Sequence, residues 1–138
     1  MTLAAALAEA IGVATGTPCP ALTLRPIGGG DINQAFRAGG GPRPWFIKTN
    51  HAERLPMFEA EAAALNALSA TNSVRVPRPL CSGTAAGQAF LVLEYLDLRG
   101  SGDAASLGEQ LARLHHAPQA RPDGAQFGWP HDNWIGST

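Results

Sequence analysis

The sequence is poor in charge and in cysteine, and each shortage excludes a class of protein. Only 15% of the 138 residues are charged, and 10 basic and 11 acidic side chains give a net charge of -1 without a long run of either sign. Because nucleic acids and anionic membranes are bound by clustered positive charge, neither is expected as a partner. Cys19 and Cys81 are isolated and lack the spacing of a metal site, which is typical of reduced cysteines inside the cell. A cytoplasmic protein with small ligands is therefore expected.

Long apolar runs are missing as well. No stretch reaches the roughly 18 apolar residues of a membrane span. Residues 1–16 make a poor secretion signal, because they lack a basic start and contain Glu9. The chain does have 45% apolar residues, enough for a core, and its 16 Gly and 11 Pro predict many turns. This composition is typical of a loop-rich α+β protein.

Hydrophobic periodicity predicts where helices and strands lie. Apolar residues at helical spacing predict helices over residues 2–13, 56–69 and 103–116. Alternating or continuous apolar runs predict strands over residues 22–27, 34–38, 44–49, 80–82 and 89–93, the first three forming a meander. The last run is apolar on both faces, which is typical of a buried interior strand. Residues 84–88 predict a turn, and residues 117–138 predict an ordered loop held by Phe127, Trp129 and Trp134.

The only lysine in the sequence, Lys48, lies near the end of a predicted strand. Alternate side chains share a strand face, so Phe46 and Lys48 point the same way. In the helix that follows, Glu61 falls on the apolar face, whereas Glu59 lies about 200° round the axis and turns outward. An unpaired inward carboxylate would be costly, so Glu61 is expected to pair with Lys48. The alternative is an ordinary lysine that reaches solvent.

A glycine-rich loop precedes this strand. It consists of Gly28, Gly29, Gly30, Asp31, Ile32 and Asn33. The pattern matches G-x-G-x-x but lacks a third glycine, so a plain hairpin turn explains it about as well as a phosphate loop. A flexible loop, a strand lysine and a helix glutamate in this order are typical of the first half of a protein-kinase-like phosphate site. In that interpretation the N–H groups from Gly29 to Asn33 approach the phosphates of ATP.

Seven segments, in this order and spacing, resemble the fructosamine kinase family. They are GGGDIN at 28–33, FIK at 46–48, MFEAEA at 57–62, VPRP at 76–79, FLVLEYL at 90–96, LGEQLARLH at 107–115 and FGWPHDNWIG at 127–136. That family shares the protein-kinase-like fold with aminoglycoside phosphotransferases and choline kinases. The resemblance implies an N-terminal ATP-binding lobe at residues 1–93, with a sheet of about five antiparallel strands. It implies a hinge at 94–102 and the start of a helical C-terminal lobe at 103–138.

The resemblance also implies a function, namely ATP-dependent phosphorylation of a sugar hydroxyl on a fructosamine, either free or attached to a protein. ATP and Mg²⁺ are the implied cofactors. The family's histidine-glycine-aspartate catalytic loop and its magnesium-binding aspartate have no counterpart here, so no catalytic or metal-binding residue is expected in this chain. We therefore expect a fragment that is inactive alone. Sustained ADP release with a fructosamine substrate would contradict this.

Particular residues take roles through the resemblance. Lys48 would hold α- and β-phosphate oxygens, and Glu61 would fix its position. Phe46 would pack on adenine, although plain core packing explains it equally well. The hinge would comprise Leu93, Glu94, Tyr95 and Leu96, with the Glu94 carbonyl and the Leu96 amide pairing with the adenine edge.

Two other functions stay open. One is phosphorylation of another small molecule, such as an aminoglycoside or choline, by an enzyme of the same fold. The other is a non-catalytic module that binds a nucleotide or a partner protein. A lone lobe would leave Leu96, Leu98 and the Leu107 side of the last helix uncovered, so self-association is expected of it.

Overall fold

The computed structural model describes residues 1–28, 32–117 and 128–135, and these carry all the structural statements below. Along the chain lie α1 (Leu3–Thr15), β1 (Thr23–Ile27), β2 (Gln34–Gly39), β3 (Trp45–His51), a 3-10 turn (Ala52–Arg54), α2 (Leu55–Ala70), β4 (Pro79–Ala85), β5 (Gln88–Glu94) and α3 (Ala104–His116). None of the helices in this described part combines the length and apolar character needed to cross a bilayer.

The five strands form one antiparallel sheet in the order β1-β2-β3-β5-β4. The predicted fold class and the meander of the first three strands are therefore confirmed. β5 lies between β3 and β4, and its residues from Ala89 to Leu93 are all buried. The continuous apolar run in the sequence arises because both faces of this strand are covered by helices.

The sheet has a helix on each face. On one side, Leu7 and Ile11 of α1 pack against side chains of β2, β3 and β5, including Ile47 and Val92. On the other side, Met57 and Phe58 of α2 pack against Ala89, Leu91 and Leu93. Alternation along β3 and β5 divides their side chains between these two cores.

One predicted turn is too long. Residues 84–88 were expected to form it, but β4 continues to Ala85 and β5 begins at Gln88. The connection is only Ala86 and Gly87, which have φ angles of 49° and 77°. Two successive positive φ values are typical of a tight two-residue hairpin, whose twist matches that of the flanking strands. An alanine at the first position carries no sequence signal for such a turn, which explains the error.

The helix ends agree with their sequence signals. The side chain of Thr2 accepts a hydrogen bond from the Ala5 N–H at the start of α1, and Gly16 ends the helix in a left-handed conformation. Asp103 caps α3 in the same way as Thr2 caps α1, through the Ala105 N–H.

No residue of α3 is fully buried, and Leu107 and Leu111 are 55% and 41% exposed. An apolar stripe therefore faces outward on α3.

The β2–β3 turn depends on one glycine. Gly40 has a φ of +102°, and a Cβ there would lie 2.5 Å from the carbonyl oxygen of Ala21. Gly40→Ala is therefore expected to lower the free energy of unfolding by about 2 kcal/mol, measured by urea denaturation. Gly41→Ala is the matched control, because the nearest atoms to its added Cβ are 3.9 Å away. Equal losses in the two variants would contradict this account of the turn.

Cys81 of β4 is a free thiol, as is Cys19, and burial raises the pKa of Cys81 to about 11. Only roughly one Cys81 side chain in a thousand is then a thiolate at pH 8, so we expect alkylation by iodoacetamide about 100-fold slower than in the unfolded chain. The native rate should rise about tenfold per pH unit up to pH 10. A Cys19→Ser background isolates the Cys81 signal, and equal native and unfolded rates would contradict the prediction.

Candidate functional site

Lys48 and Glu61 form an ion pair between the sheet and α2. The Lys48 Nζ donates to Glu61 Oε1 over 2.7 Å, and the two side chains are 25% and 30% exposed. Glu59, two residues earlier on α2, is exposed. The expected pairing and the choice of Glu61 over Glu59 are thus confirmed. The pair is accessible from one side, so the ammonium group retains donors for a ligand.

The strand register places other side chains on the same face as Lys48. Residues directly opposite in an antiparallel ladder share a face, and Lys48 lies opposite Ala35 on β2 and Leu91 on β5. Phe46 lies on this face too, opposite Leu93, and packs against the core beneath α2. Phe46 is only partly buried. It contributes to the core and leaves part of its ring on the Lys48 face.

The glycine loop is described at Gly28, Ile32 and Asn33, whereas Gly29, Gly30 and Asp31 lie outside the described residues. The end of the loop is tied to β3 by Asn50. Its Nδ2 donates to the Oδ1 of Asn33 over 2.8 Å and to the carbonyl of Ile32 over 3.1 Å. Asn50 follows Lys48 by two residues, so the lysine and the side chain that holds the loop lie on one face.

Sequence reasoning missed Asn50. A polar residue two positions after Lys48, on the same strand face, was the available signal. Its partner could not be identified, because Asn33 lies 17 residues earlier in the chain. Only the antiparallel pairing of β2 with β3 brings the two together.

At the predicted hinge, Leu93 is buried in the sheet, and Glu94 ends β5. The Glu94 carboxylate accepts from Arg75 Nη2 over 2.6 Å, an ion pair not foreseen from the sequence. Tyr95 lies under the guanidinium of Arg37, 5.2 Å from ring centroid to Cζ. Leu96 is partly buried. The Glu94 side chain is thus used to hold the strand end, whereas its backbone continues toward α3.

Two exposed charges follow this segment. The Arg99 Nε donates to Asp97 Oδ2 over 2.8 Å. This hydrogen bond lowers the pKa of the Asp97 carboxyl and raises the pKa of Arg99. Both side chains lie at the surface, so the pair contributes little to stability.

The segment at residues 128–135 packs beside the ion pair through Trp134. This side chain packs against the core beneath α2, whereas Trp129 is 44% exposed and makes an edge contact with His131. Of the three aromatic residues expected to hold this loop, Trp134 does so, Trp129 does not, and Phe127 lies outside the described residues. Trp134 also lines a cavity of about 270 Å³ with Ile32, Asn33, Met57, Glu61, Ala64, Leu65 and Asn133.

No metal centre is apparent in the part of the chain that the structure describes. Within residues 1–28, 32–117 and 128–135, His, Cys, Asp and Glu side chains do not form a group of three or more that could hold an ion.

A five-stranded antiparallel sheet, a helix bridged to its third strand by a lysine–glutamate pair, and a loop before that strand together define the class. This is the N-terminal region of the protein-kinase-like fold. The family model for fructosamine kinase matches residues 3–138. The chain belongs to the fructosamine kinase family.

Individual relatives agree with this assignment. A probable ketoamine kinase of Synechocystis sp. is 43% identical over 134 residues, which cover 96% of this chain and 44% of the relative. A chloroplastic protein-ribulosamine 3-kinase of Arabidopsis thaliana is 39% identical over 114 residues, covering 81% of this chain and 34% of that protein. The chain thus spans less than half the length of these relatives.

A solved structure agrees with the fold. The crystal structure of a putative fructosamine-3-kinase from Haemophilus somnus 129PT superposes with a TM-score of 0.82 at 26% identity. The match covers 96% of this chain and 44% of that one. Similarity at this level extends over almost every described element.

Proposed function

We propose that these 138 residues form the nucleotide-binding part of an ATP-dependent kinase that phosphorylates a sugar hydroxyl of ketoamines. The observation that carries this proposal is the 2.7 Å pair between Lys48 and Glu61 in a member of the fructosamine kinase family. In kinases a strand lysine binds the α- and β-phosphates, and a helix glutamate orients it. The division into a lobe at 1–93, a hinge at 94–102 and the start of a second lobe at 103–138 belongs to the same proposal.

The residues present suit ATP phosphates. The Lys48 ammonium is partly exposed and held by one carboxylate oxygen, so it still offers donors to a second anion. Asn50, two residues after Lys48 on the same strand face, bonds to Ile32 and Asn33 at the end of the glycine loop. We propose that the loop N–H groups and Lys48 bind the phosphates together. Glu61 would hold Lys48 in place.

The adenine would lie toward the other end of this sheet face. Phe46 is partly exposed and lies opposite Leu93, the residue before Glu94. We propose that the Glu94 carbonyl and the Leu96 N–H pair with the adenine edge, with Leu93 and Tyr95 flanking them. The Arg75 contact supports this arrangement. It engages the Glu94 carboxylate and holds the end of β5, so the backbone carbonyl of Glu94 is the group proposed to pair with adenine.

Nucleotide binding is tested by titrating the chain with adenosine, ADP and ATP in a calorimeter. Because Lys48 and the loop would bind phosphates, affinity should rise in the order adenosine, ADP, ATP, and the difference should shrink at high salt. Equal affinities for the three ligands would contradict a phosphate site at Lys48. Failure of all three to bind would contradict the nucleotide function.

The ketoamine substrate needs a separate test, because its binding groups are expected outside these residues. We expect the chain alone to transfer no phosphate from ATP to fructosyl-lysine, measured by mass spectrometry. A chimera in which it replaces the matching segment of the Synechocystis relative should phosphorylate fructosyl-lysine. Lys48→Met in the chimera should abolish transfer. An inactive but folded chimera would count against a catalytic role, and preference for choline or an aminoglycoside would favour the alternative substrates.

A partner-binding role is supported by one observation. Leu98, Leu107 and Leu111 are 88%, 55% and 41% exposed and lie on and just before α3. Exposed apolar groups of this kind promote association. We propose that the isolated chain self-associates through them, and light scattering should report a species larger than 14.3 kDa. A monomer at high concentration would remove this candidate.

The cytoplasmic location stays a prediction.

A further inference from the structure

The cavity next to the ion pair joins three separate parts of the chain. The α2 residues that line it are Met57, Glu61, Ala64 and Leu65, which lie on one helix face at spacings of four, three and one. The end of the glycine loop lines the second side, and Asn133 with Trp134 lines the third. Glu61 is thus both the partner of Lys48 and a wall of this cavity. A group that packs beside this helix face therefore lies near the Glu61 side chain.

Trp134 lines the same cavity as this face of α2. Within residues 128–135 every other side chain is exposed, and Trp134 alone is partly buried. It packs against the core cluster that contains Met57 and Phe58 of α2. The backbone N–H of Trp134 donates to Asn133 Oδ1 over 2.9 Å. Within the described residues 128–135, Trp134 is thus the large side chain that is partly buried against this core.

The Lys48–Glu61 pair is too exposed to fix its own geometry. At 25% and 30% exposure, a lysine–glutamate pair contributes little to stability, and both long side chains lose rotamer freedom when they pair. A bulky group beside Glu61 would restrict the carboxylate before it meets Lys48, and Trp134 lines the same cavity as Glu61. A rigid indole can do this at little entropic cost, because it has only two side-chain torsions.

We propose that Trp134 is a positioning residue that keeps Glu61 bonded to Lys48, so that the segment at 128–135 couples directly to the nucleotide site. Its consequence for nucleotide affinity rests on the proposed function, but its effect on the ion pair does not. Trp134→Ala frees the Glu61 side of α2, the pair opens more often, and Lys48 is no longer oriented toward a phosphate.

The ion pair can be observed directly because Lys48 is the only lysine of the chain. Lysine labelled with ¹³C at the ε position gives one NMR signal, which reports the environment of its ammonium group. Glu61→Gln defines the signal of the broken pair. We expect Trp134→Ala to move the signal toward that position, Trp134→Phe to leave it near wild type, and Trp129→Ala to leave it unchanged. Trp129 is the matched control, since it lies on the same segment and is 44% exposed.

A double-mutant cycle separates positioning from general damage to the fold. Trp134→Ala should weaken ATP binding about tenfold, which is within the usual coupling between residues that share a cavity. In a Glu61→Gln background the same substitution should have no further effect, because the group through which Trp134 acts is already lost. The loss must also persist under conditions where thermal melts show both variants folded. If Trp134→Ala does not fold, Trp134→Leu replaces it in both measurements.

A Lys48 signal that Trp134→Ala leaves at its wild-type position would overturn the proposal, whatever happens to ATP. So would an equal loss of affinity with and without Glu61. A signal that moves as expected in a chain whose ATP affinity is insensitive to Lys48→Met would support positioning by Trp134 and contradict the proposed nucleotide site. The two failures are therefore distinguishable.

Discussion

Lys48→Met is expected to weaken ATP binding by about 10-fold to 100-fold. A hydrogen bond to a charged group contributes about 1.5 to 3 kcal/mol, and tenfold in affinity corresponds to about 1.4 kcal/mol. Methionine keeps an unbranched stem of similar length, so the packing of the side chain beside α2 should survive. It removes the ammonium that pairs with Glu61 over 2.7 Å. Calorimetric titration with ATP and with adenosine measures the change, and the adenosine affinity should alter little.

Arg43→Met is the matched control for this prediction. It makes the same change of charge, but Arg43 lies over the ring of Trp45, with Cζ 4.3 Å from the centroid. Trp45 belongs to the core on the α1 side of the sheet, opposite the face that carries Lys48. ATP affinity should stay within about twofold of wild type, because a distant exposed charge is screened by salt. An equal loss in the two variants would indicate general electrostatic attraction, and would contradict a specific site at Lys48.

Phe58→Ala should cost about 3 to 5 kcal/mol of the free energy of unfolding, the usual loss when a fully buried aromatic side chain is truncated. Phe58 is 0% exposed and belongs to the cluster that joins α2 to β5. Urea denaturation measures the change. Since a domain is stable by only about 5 to 15 kcal/mol, this substitution would remove a large part of the total stability. Phe58→Leu should lose less, because a branched side chain fills more of the cavity.

The matched control for Phe58 is an apolar residue at the surface. Leu98 is 88% exposed, so Leu98→Ala should change the free energy of unfolding by about 0.5 kcal/mol or less. Similar losses for Leu98→Ala and Phe58→Ala would contradict the packing of α2 on the sheet. Phe58→Leu should also retain the Lys48 NMR signal if α2 keeps its place, which links the stability of this core to the ion pair above it.

The sequence alone determined the positions of the helices and strands, because burial of one face or both produces a hydrophobic pattern along the sequence. The continuous run of β5 predicted an interior strand, and the single lysine of β3 predicted where a charge meets the sheet. Helical geometry selected Glu61 over Glu59, since only one of two carboxylates two residues apart can face inward. Strand ends were less certain. The tight turn at Ala86 and Gly87 carries too little side-chain signal to be read in advance.

The tertiary structure alone decided which distant residues meet around the ion pair. Asn50 reaches Asn33 across 17 residues, Arg75 reaches Glu94 across 19, and Trp134 packs against the core beneath a helix that ends at Ala70. Each contact joins two elements whose hydrophobic periodicity is already explained by other packing. Local patterns record which face of an element is buried but not what covers it. The partner is set by the order of strands in the sheet and by the path of the chain between them.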